Sequence, residues 1–245
     1  MEPFKITDGD IFNVSADAMV TTIGIQCELD GHVCKELIKK LGKLKNSFKS
    51  KLKENSSTEE EKEVIKKESL NNIKDEIQKR IKEDYSLRYV KQEDITEIRT
   101  IVDGSPMLVN LKDFDKLGEF NFKYVFFVAF KRAEQGVPKS ILSLACQEII
   151  KICRKEKIKS VTLPTIGCGV LRTPISRCSS AMSEGFALSR ELVKDMTDIN
   201  IVCYEDIKEF VDEFKNPFKE GYKGKKTSPE SRCLHIYFQT SSIPS

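Results

Sequence analysis

The segment Ser160–Pro174, SVTLPTIGCGVLRTP, restricts the fold of this chain more than any other part of the sequence. A short apolar run, Ile158–Leu163, predicts a β-strand that stops at Pro164. Two glycines one residue apart, Gly167 and Gly169, follow at once, and the residues after them have the composition of a helix. In α/β proteins ligands bind at such a junction, because free backbone N–H groups and the helix dipole favour an anion. An ordinary strand-to-helix connection, in which the glycines only relieve steric crowding, is the open alternative.

Strands alternate with helices along most of the chain. The continuous apolar run Tyr124–Phe130, YVFFVAF, predicts a central strand that is covered on both faces. The alternation predicts one α/β domain of three layers, α/β/α, around a mixed, largely parallel sheet. Further predicted strands are Phe4–Thr7, Asp17–Ile23 and Ile199–Tyr204, with a hairpin of Ile98–Val102 and Met107–Leu111; the predicted helices are His32–Leu41, ended by Gly42, Ser140–Lys155, Ser176–Lys194 and Glu205–Phe214.

Composition excludes several classes of protein. The 245 residues are 39% hydrophobic, which suits a globular chain, and the net charge of +3 comes from 41 basic and 38 acidic residues. That balance gives no reason to expect nucleic-acid binding. No apolar run approaches the roughly 20 residues of a membrane span, and the N-terminus lacks a signal-peptide core. Eight cysteines without C-x-x-C spacing and only two histidines predict no metal or cofactor, and favour a reduced cytoplasmic or nuclear location.

A charged segment, residues 43–97, interrupts this pattern. Its composition changes abruptly to Lys, Glu, Asn and Ser, while Leu70, Ile73, Ile77 and Ile81 recur at helical spacing and form one narrow apolar stripe. We therefore expect an inserted helical arm. The stripe either leans on the domain or binds a protein partner, and nothing in the segment indicates catalysis.

The domain is expected to span residues 1–215, and residues 216–245 form a C-terminal linker. Within this tail, Cys233–Gln239 is a candidate edge strand. Three lysines, Lys223, Lys225 and Lys226, form a small basic cluster that suits a solvated linker better than a nucleic-acid contact.

Four motifs in order resemble those of the macrodomain family. They are GDIF at residues 9–12, DAMV at 17–20, CELDGHV at 27–33 and LPTIGCG at 163–169. The IGCG motif at 166–169, together with FKRA at 130–133, is most similar to the motifs of one branch of this family. That branch contains the terminal ADP-ribose protein glycohydrolases and the DNA-ADP-ribose-removing antitoxins. The resemblance covers residues 4–42 and about 98–214, with the charged arm as an insertion.

The resemblance implies that the ligand is ADP-ribose, or a metabolite or modification that contains it. Asp10 would accept a hydrogen bond from the adenine amine, and the Ile11 amide would contact a ring nitrogen. Backbone donors of two glycine loops, the first at Gly31–Val33 and the second at Gly167–Val170, would hold the diphosphate. Tyr204 or Phe210 would stack on adenine. The implied ligand-binding residues are Asp10, Ile11, Thr21, Gly31, His32, Val33, Thr165, Gly167, Cys168, Gly169, Val170, Leu171, Tyr204 and Phe210.

Departures from the family pattern favour binding without turnover. Thr21 and Thr22 follow the DAMV motif where hydrolytic relatives have an asparagine, and Gly24 holds a second asparagine position. Asp30 replaces a glycine of the first loop, where its charge would repel a diphosphate unless it points outward. Leu171 stands where an aspartate follows the IGCG loop in the glycohydrolase branch, so the acid or base for hydrolysis is missing.

Lys131 keeps an enzymatic alternative open. In the resembling branch, a lysine at the end of the central strand forms a Schiff base with the opened ribose, and Lys131 falls at or beside that position, with Phe130 as its competitor. In the alternative interpretation, Lys131 is simply a basic residue at the end of a strand.

We therefore expect an ADP-ribose-binding module, with two alternatives. One is an ADP-ribosyl hydrolase acting on modified protein or DNA, and the other is a degenerate macrodomain that serves as a protein-interaction scaffold.

Overall fold

Seven strands form one mixed sheet through the centre of the molecule. The computed structural model describes residues 4–52, 71–81, 101–114, 120–193, 196–204, 207–220 and 237–238. The strands are β1 (Phe4–Asp8), β2 (Ala18–Gly24), β3 (Pro106–Asn110), β4 (Tyr124–Phe130), β5 (Ser160–Pro164), β6 (Asp198–Cys203) and β7 (Tyr237–Phe238). The helices are α1 (His32–Leu52), α2 (71–81), α3 (Lys139–Lys155), α4 (Ile175–Leu188), α5 (Arg190–Val193) and α6 (Ile207–Glu220), with 3₁₀ turns at Ile11–Asn13 and Leu111–Asp113.

The strand order across the sheet is β3-β4-β2-β5-β6-β1-β7. β3 runs antiparallel to β4, and the other neighbouring strands are parallel. The carboxyl ends of β1, β2, β4, β5 and β6 therefore meet at one edge, which is where open α/β sheets bind ligands. In the described part of the tail, α6 extends to Glu220 and β7 pairs with β1.

Helices cover both faces of the sheet and produce the three layers. In β4, Phe126 faces a core shared with α3, α4 and α6, whereas Phe127 faces a second core shared with α1 and α2. Both rings are fully buried. This explains why the strand is apolar at every position, since alternate side chains enter different cores.

The described part of the charged arm packs on the domain. Ile73, Ile77 and Ile81 are buried in the same core as Leu37 and Leu41 of α1. The fourth predicted member of the stripe, Leu70, lies outside the described residues. These three isoleucines are thus part of the second core, so the described part of the stripe leans on the domain. A protein partner for the helical arm stays a prediction.

Two local predictions were wrong. The helix α1 continues through Gly42, which is buried, although a glycine inside a helix costs about 1 kcal/mol. The predicted hairpin does not form in the described residues, because β3 pairs with β4 and the Ile101 amide donates instead to the Ile25 carbonyl at 2.8 Å; residues 98–100 lie outside the described ranges. No helix in the described part of the chain combines the length and apolarity that a membrane crossing requires.

Candidate functional site

A cavity of about 320 Å³ opens at the carboxyl ends of β1, β5 and β6. Five of the residues that the resemblance assigns to a ligand line this cavity. The end of β5 and part of α1 form the rest of its wall. The predicted residues on the walls are Asp10, Ile11, His32, Val33 and Tyr204, beside Phe12, Glu36, Lys40 and Pro164. In the described ranges, no group of three or more His, Cys, Asp or Glu side chains is arranged to hold a metal ion.

Asp10 caps the short turn that follows β1. Its Oδ1 accepts the Phe12 amide at 3.0 Å, which fixes the carboxylate at the cavity wall. The described residues offer no backbone acceptor to the Ile11 amide, while the Ile11 side chain is buried. Because a carboxylate has two oxygens, capping the turn leaves Oδ2 for an external donor. An acceptor and a free donor therefore lie side by side at the cavity.

The first glycine loop ends at the N-terminus of α1. A side-chain carbon on Gly31 would lie 2.7 Å from the Thr22 carbonyl oxygen, so only glycine lets the loop pack this closely on β2. Within the described chain, the amides of Gly31, His32 and Val33 have no backbone acceptor. Such orphan donors at the start of a long helix favour an anion.

The charge of Asp30 in this loop is balanced. Its carboxylate forms an ion pair with Arg132, in the loop after β4. The sequence predicted that Asp30 would repel a diphosphate unless it pointed outward. The guanidinium beside it offsets that repulsion and ties the two loops together.

The second glycine loop follows β5 directly after Pro164. Gly167 has a φ of 97°, a left-handed conformation that favours glycine. The Thr173 amide donates to the Gly167 carbonyl at 3.0 Å and closes the loop. Inside it, the amides of Gly169, Val170 and Leu171 have no backbone acceptor among the described residues. Val170 is exposed, whereas the Leu171 side chain is buried.

The side chain of Cys168 meets that of Cys178, which lies in the first turn of α4. The Cys178 thiol donates to the Thr173 carbonyl oxygen at 3.7 Å. The contact with Cys178 lowers the pKa of Cys168; burial opposes this effect and a hydrogen bond with Thr165 adds to it. The pKa of Cys178 is raised by the same contact and by burial. Cys168 is therefore the more readily ionised thiol of the pair.

The two aromatic candidates differ in position. Tyr204 is 77% exposed at the cavity, with its ring centroid 5.9 Å from that of His32. Phe210 is fully buried and stacks on Phe214 at 5.7 Å between ring centroids. Phe210 is thus a core residue, and Tyr204 is the aromatic side chain available to a ligand.

Thr21 and Lys131 lie apart from the cavity. The Thr21 side chain is fully buried, and its Oγ1 has no hydrogen-bond partner in the described part of the molecule. Lys131 is exposed immediately after β4, and its backbone amide donates to Asp103 Oδ1 at 3.0 Å. Its competitor Phe130 is fully buried, so Lys131 is the side chain that reaches solvent at this strand end.

Sequence analysis missed one carboxylate at the end of β2. The carboxyl group of Glu28 covers Gly24 so closely that any side chain at position 24 would overlap Glu28 Oε2. The Gln26 amide donates to that oxygen at 2.8 Å, and the rest of the side chain is exposed. The sequence signal for Glu28 was weak. It consisted of a glycine at a family asparagine position, Gly24, and a glutamate four residues later, and the two are close only because the chain turns between them.

Comparisons with known proteins identify the fold. No protein-family model matches the sequence, and no curated protein sequence matches it. A variant of the Oceanobacillus iheyensis macrodomain with ADPR matches the structure with a TM-score of 0.57 at 10% identity, over 89% of this chain and 92% of that one. The macrodomain from the same organism with ADP gives 0.54 at 11% identity, over 88% and 90%.

A macrodomain from a second organism is also similar in structure. The Trypanosoma brucei macrodomain in complex with ADP-ribose matches with a TM-score of 0.51 at 10% identity, over 88% of this chain and 68% of that one. The chain thus has the macrodomain α/β fold, which confirms the predicted fold class. The similarity to the glycohydrolase and antitoxin branch stays a prediction.

Proposed function

We propose that this protein binds ADP-ribose, or a metabolite or modification that contains it, without turning it over. The observation that carries the proposal is the convergence of Asp10, the free Ile11 amide and the first-loop amides on one cavity. An acceptor and a donor side by side suit the amine and ring nitrogen of adenine. Tyr204 supplies an exposed aromatic face beside them.

The two glycine loops suit a diphosphate. The first loop offers donors at the N-terminus of α1, and the second offers the amides of Gly169, Val170 and Leu171. They follow β2 and β5, which are neighbours in the sheet. Donors on adjacent strands suit two linked phosphates better than a single anion, because each loop can bind one group.

Several features support binding over turnover. A Schiff-base lysine needs desolvation to lose its proton, whereas Lys131 is exposed to water. The family position after the second loop holds Leu171, whose buried side chain carries no acid or base. Thr21 is likewise buried away from the cavity.

Calorimetric titration tests the proposal. We expect ADP-ribose and ADP to bind to one site, and AMP to bind more weakly because it lacks the second phosphate. Gly169→Pro in the second loop should weaken binding because it removes a loop amide, whereas Glu148→Ala on α3, which removes an exposed carboxylate paired with Lys151, should not. Absence of heat with millimolar ADP-ribose would contradict the proposal and favour a scaffold role.

An ADP-ribosyl hydrolase that uses Lys131 is the second candidate. It is favoured by the carboxylate of Glu28, which covers Gly24, the residue in register with Phe130 just before Lys131. Incubation with ADP-ribosylated protein and with ADP-ribosylated DNA, scored for released ADP-ribose, distinguishes the two. Release that Lys131→Ala abolishes would establish the hydrolase, and no release from either substrate agrees with a binding module.

A further inference from the structure

We propose that Cys168 and Cys178 form a dithiol that a peroxide oxidises to a disulfide, and that this bond ties the second glycine loop to α4. The inference goes beyond nucleotide binding and does not depend on it, because it needs only the two thiols and a peroxide. Both cysteines are free thiols in the structure. Inside cells such disulfides are usually transient and serve redox sensing or catalysis.

The fold brings the two side chains together. The Thr173 amide donates to the Gly167 carbonyl at 3.0 Å and closes the loop, and Cys178 follows in the first turn of α4. A side-chain carbon on Gly167 would lie 3.3 Å from Cys178 Sγ, so this sulfur packs against the residue next to Cys168. The two cysteine side chains are in contact. Only a small movement is therefore needed to reach the S–S bond length of about 2.05 Å.

The two thiols suit different steps. Cys168 is partly exposed, so a small peroxide can reach its sulfur, whereas Cys178 is fully buried. The contact with Cys178 lowers the pKa of Cys168, which favours the thiolate, the form that attacks a peroxide. The same contact and burial raise the pKa of Cys178, so that thiol stays protonated. Cys168 is thus the attacking thiol, and Cys178 is the thiol that resolves the oxidised intermediate.

The other described cysteines are poor competitors, because all of them are buried. Burial raises the pKa of Cys34, Cys146 and Cys153 to about 12, which disfavours their thiolates. Cys203 interacts electrostatically with Cys168, but burial is the larger effect on its thiol and its pKa is also raised to about 12. A bond between Cys168 and Cys203 is the alternative that an experiment must exclude.

One peroxide molecule suffices for the reaction. The Cys168 thiolate attacks one oxygen of hydrogen peroxide, the O–O bond breaks, and the departing hydroxide takes up the proton that the thiol released, which gives water and a sulfenic acid. The Cys178 sulfur then attacks the Cys168 sulfur, so the S–S bond forms and the S–O bond breaks. The hydroxyl group leaves with the Cys178 proton as a second water. Each sulfur loses one electron, and the peroxide gains two.

Trypsin separates the two cysteines and so provides a direct test. Cleavage gives the peptides 160–172 and 178–190, which contain Cys168 and Cys178 as their only cysteines. The reduced full-length protein, without ligand, is treated with one equivalent of hydrogen peroxide. Its free thiols are blocked with iodoacetamide in denaturant, and the digest is analysed by mass spectrometry without reductant. We expect the two peptides joined by a disulfide, in a protein that stays a monomer on non-reducing electrophoresis.

Variants assign the two steps. Cys178→Ser should lose the disulfide completely and leave a sulfenic acid at Cys168, which dimedone traps. Cys168→Ser should lose both the disulfide and the dimedone adduct, since Cys178 is buried and protonated. Cys153→Ala, which changes a buried cysteine of α3, should keep the disulfide and is the matched control. Circular dichroism verifies that each variant is folded, and Cys178→Ala is the second choice should Cys178→Ser unfold.

Several results would overturn the proposal. Peroxide treatment might leave the two peptides separate, join Cys168 to Cys203, or join the peptides only within a covalent dimer, and each of these results excludes the dithiol. A dimedone adduct on wild-type Cys168 as abundant as that in Cys178→Ser would also exclude it, because Cys178 would then not resolve the sulfenic acid. Since ADP-ribose is absent throughout, none of these outcomes bears on the proposed function.

Discussion

Arg132, which follows β4, forms an ion pair with Asp30 at the entrance to α1. The pair links the end of the central strand to the first glycine loop, next to the amides of Gly31 and His32, which have no backbone acceptor among the described residues. Both side chains are partly exposed, so the pair adds little to global stability. Its effect is local, because it keeps a negative charge from standing alone beside a proposed diphosphate site.

Replacing Arg132 by Gln should weaken ADP binding about three- to tenfold, since the Asp30 charge would then act on the diphosphate without its counter-ion. The double variant Asp30→Asn with Arg132→Gln should recover most of the affinity, because both charges are gone. Titration with ADP at low and at high salt measures this, and the loss should shrink at high salt. Lys139→Gln, which breaks a comparable exposed pair with Glu184, is the control. Equal affinity of Arg132→Gln and wild type would refute the electrostatic role.

Replacing Asp10 by Asn should reduce base selectivity with little effect on stability. Asparagine still caps the turn, so the free energy of unfolding should change by less than about 0.5 kcal/mol. Its amide presents a donor as well as an acceptor, so preference for ADP over GDP should fall. Asp10→Ala, by contrast, removes the cap and should cost about 1 kcal/mol. Competition between the two nucleotides, with thermal unfolding of both variants, provides the measurement; an undiminished ADP preference in Asp10→Asn would exclude Asp10 as the base-reading group.

The sequence predicted the elements that depend on local pattern. The run Tyr124–Phe130 forms β4 with the expected bounds, because a strand buried on both faces is apolar at every position. The strand β5 ends at Pro164 and a glycine loop follows it, as predicted, and Gly167 in this loop is left-handed. Asp10 lines the cavity and caps the turn after β1, and its role in binding stays a prediction. Each of these features is set by residues close in sequence.

Features that depend on distant residues were beyond sequence reasoning. Gly42 continues a helix because α1 packs on other elements, whose burial outweighs the low helix propensity of glycine. Which of Tyr204 and Phe210 is available to a ligand could be decided only from the packing of α6 on the sheet. Glu28 was missed because only the folded turn brings its carboxyl group against Gly24. Arg132 was noted only as part of a motif, since an ion pair with Asp30 leaves no local pattern.

The described part of the arm should contribute to the stability of the domain. Ile77 is fully buried between α2 and the second core, so Ile77→Ala should lower the free energy of unfolding by about 2–5 kcal/mol. Asn72→Ala, at an exposed position of the same helix, should change it by less than about 0.5 kcal/mol. Urea denaturation followed by circular dichroism compares the two. If Ile77→Ala unfolded like the wild type, α2 would be a detachable arm rather than part of the core.

Cys168 should be the most reactive thiol of the described cysteines. Its lowered pKa gives more thiolate at neutral pH than an ordinary cysteine has, and the side chain is only partly buried. Burial raises the pKa of Cys146 and Cys203 to about 12, so those thiols should stay protonated and unreactive. Alkylation by iodoacetamide should therefore rise with pH at Cys168 first, with a midpoint below the ordinary value of 9.0.

Cys178→Ala identifies the cause of this reactivity. Removing the Cys178 thiol should raise the pKa of Cys168, so its alkylation at pH 7.5 should slow. Mass spectrometry of peptides gives the alkylation rate at each cysteine. The control is Cys153→Ala, which changes a buried residue of α3. Saturating ADP-ribose should slow the reaction further, because a diphosphate on the second glycine loop covers the thiol and its charge disfavours the thiolate. If neither Cys178→Ala nor the ligand changes the alkylation rate of Cys168, then neither the contact with Cys178 nor a diphosphate on this loop determines the reactivity of the thiol.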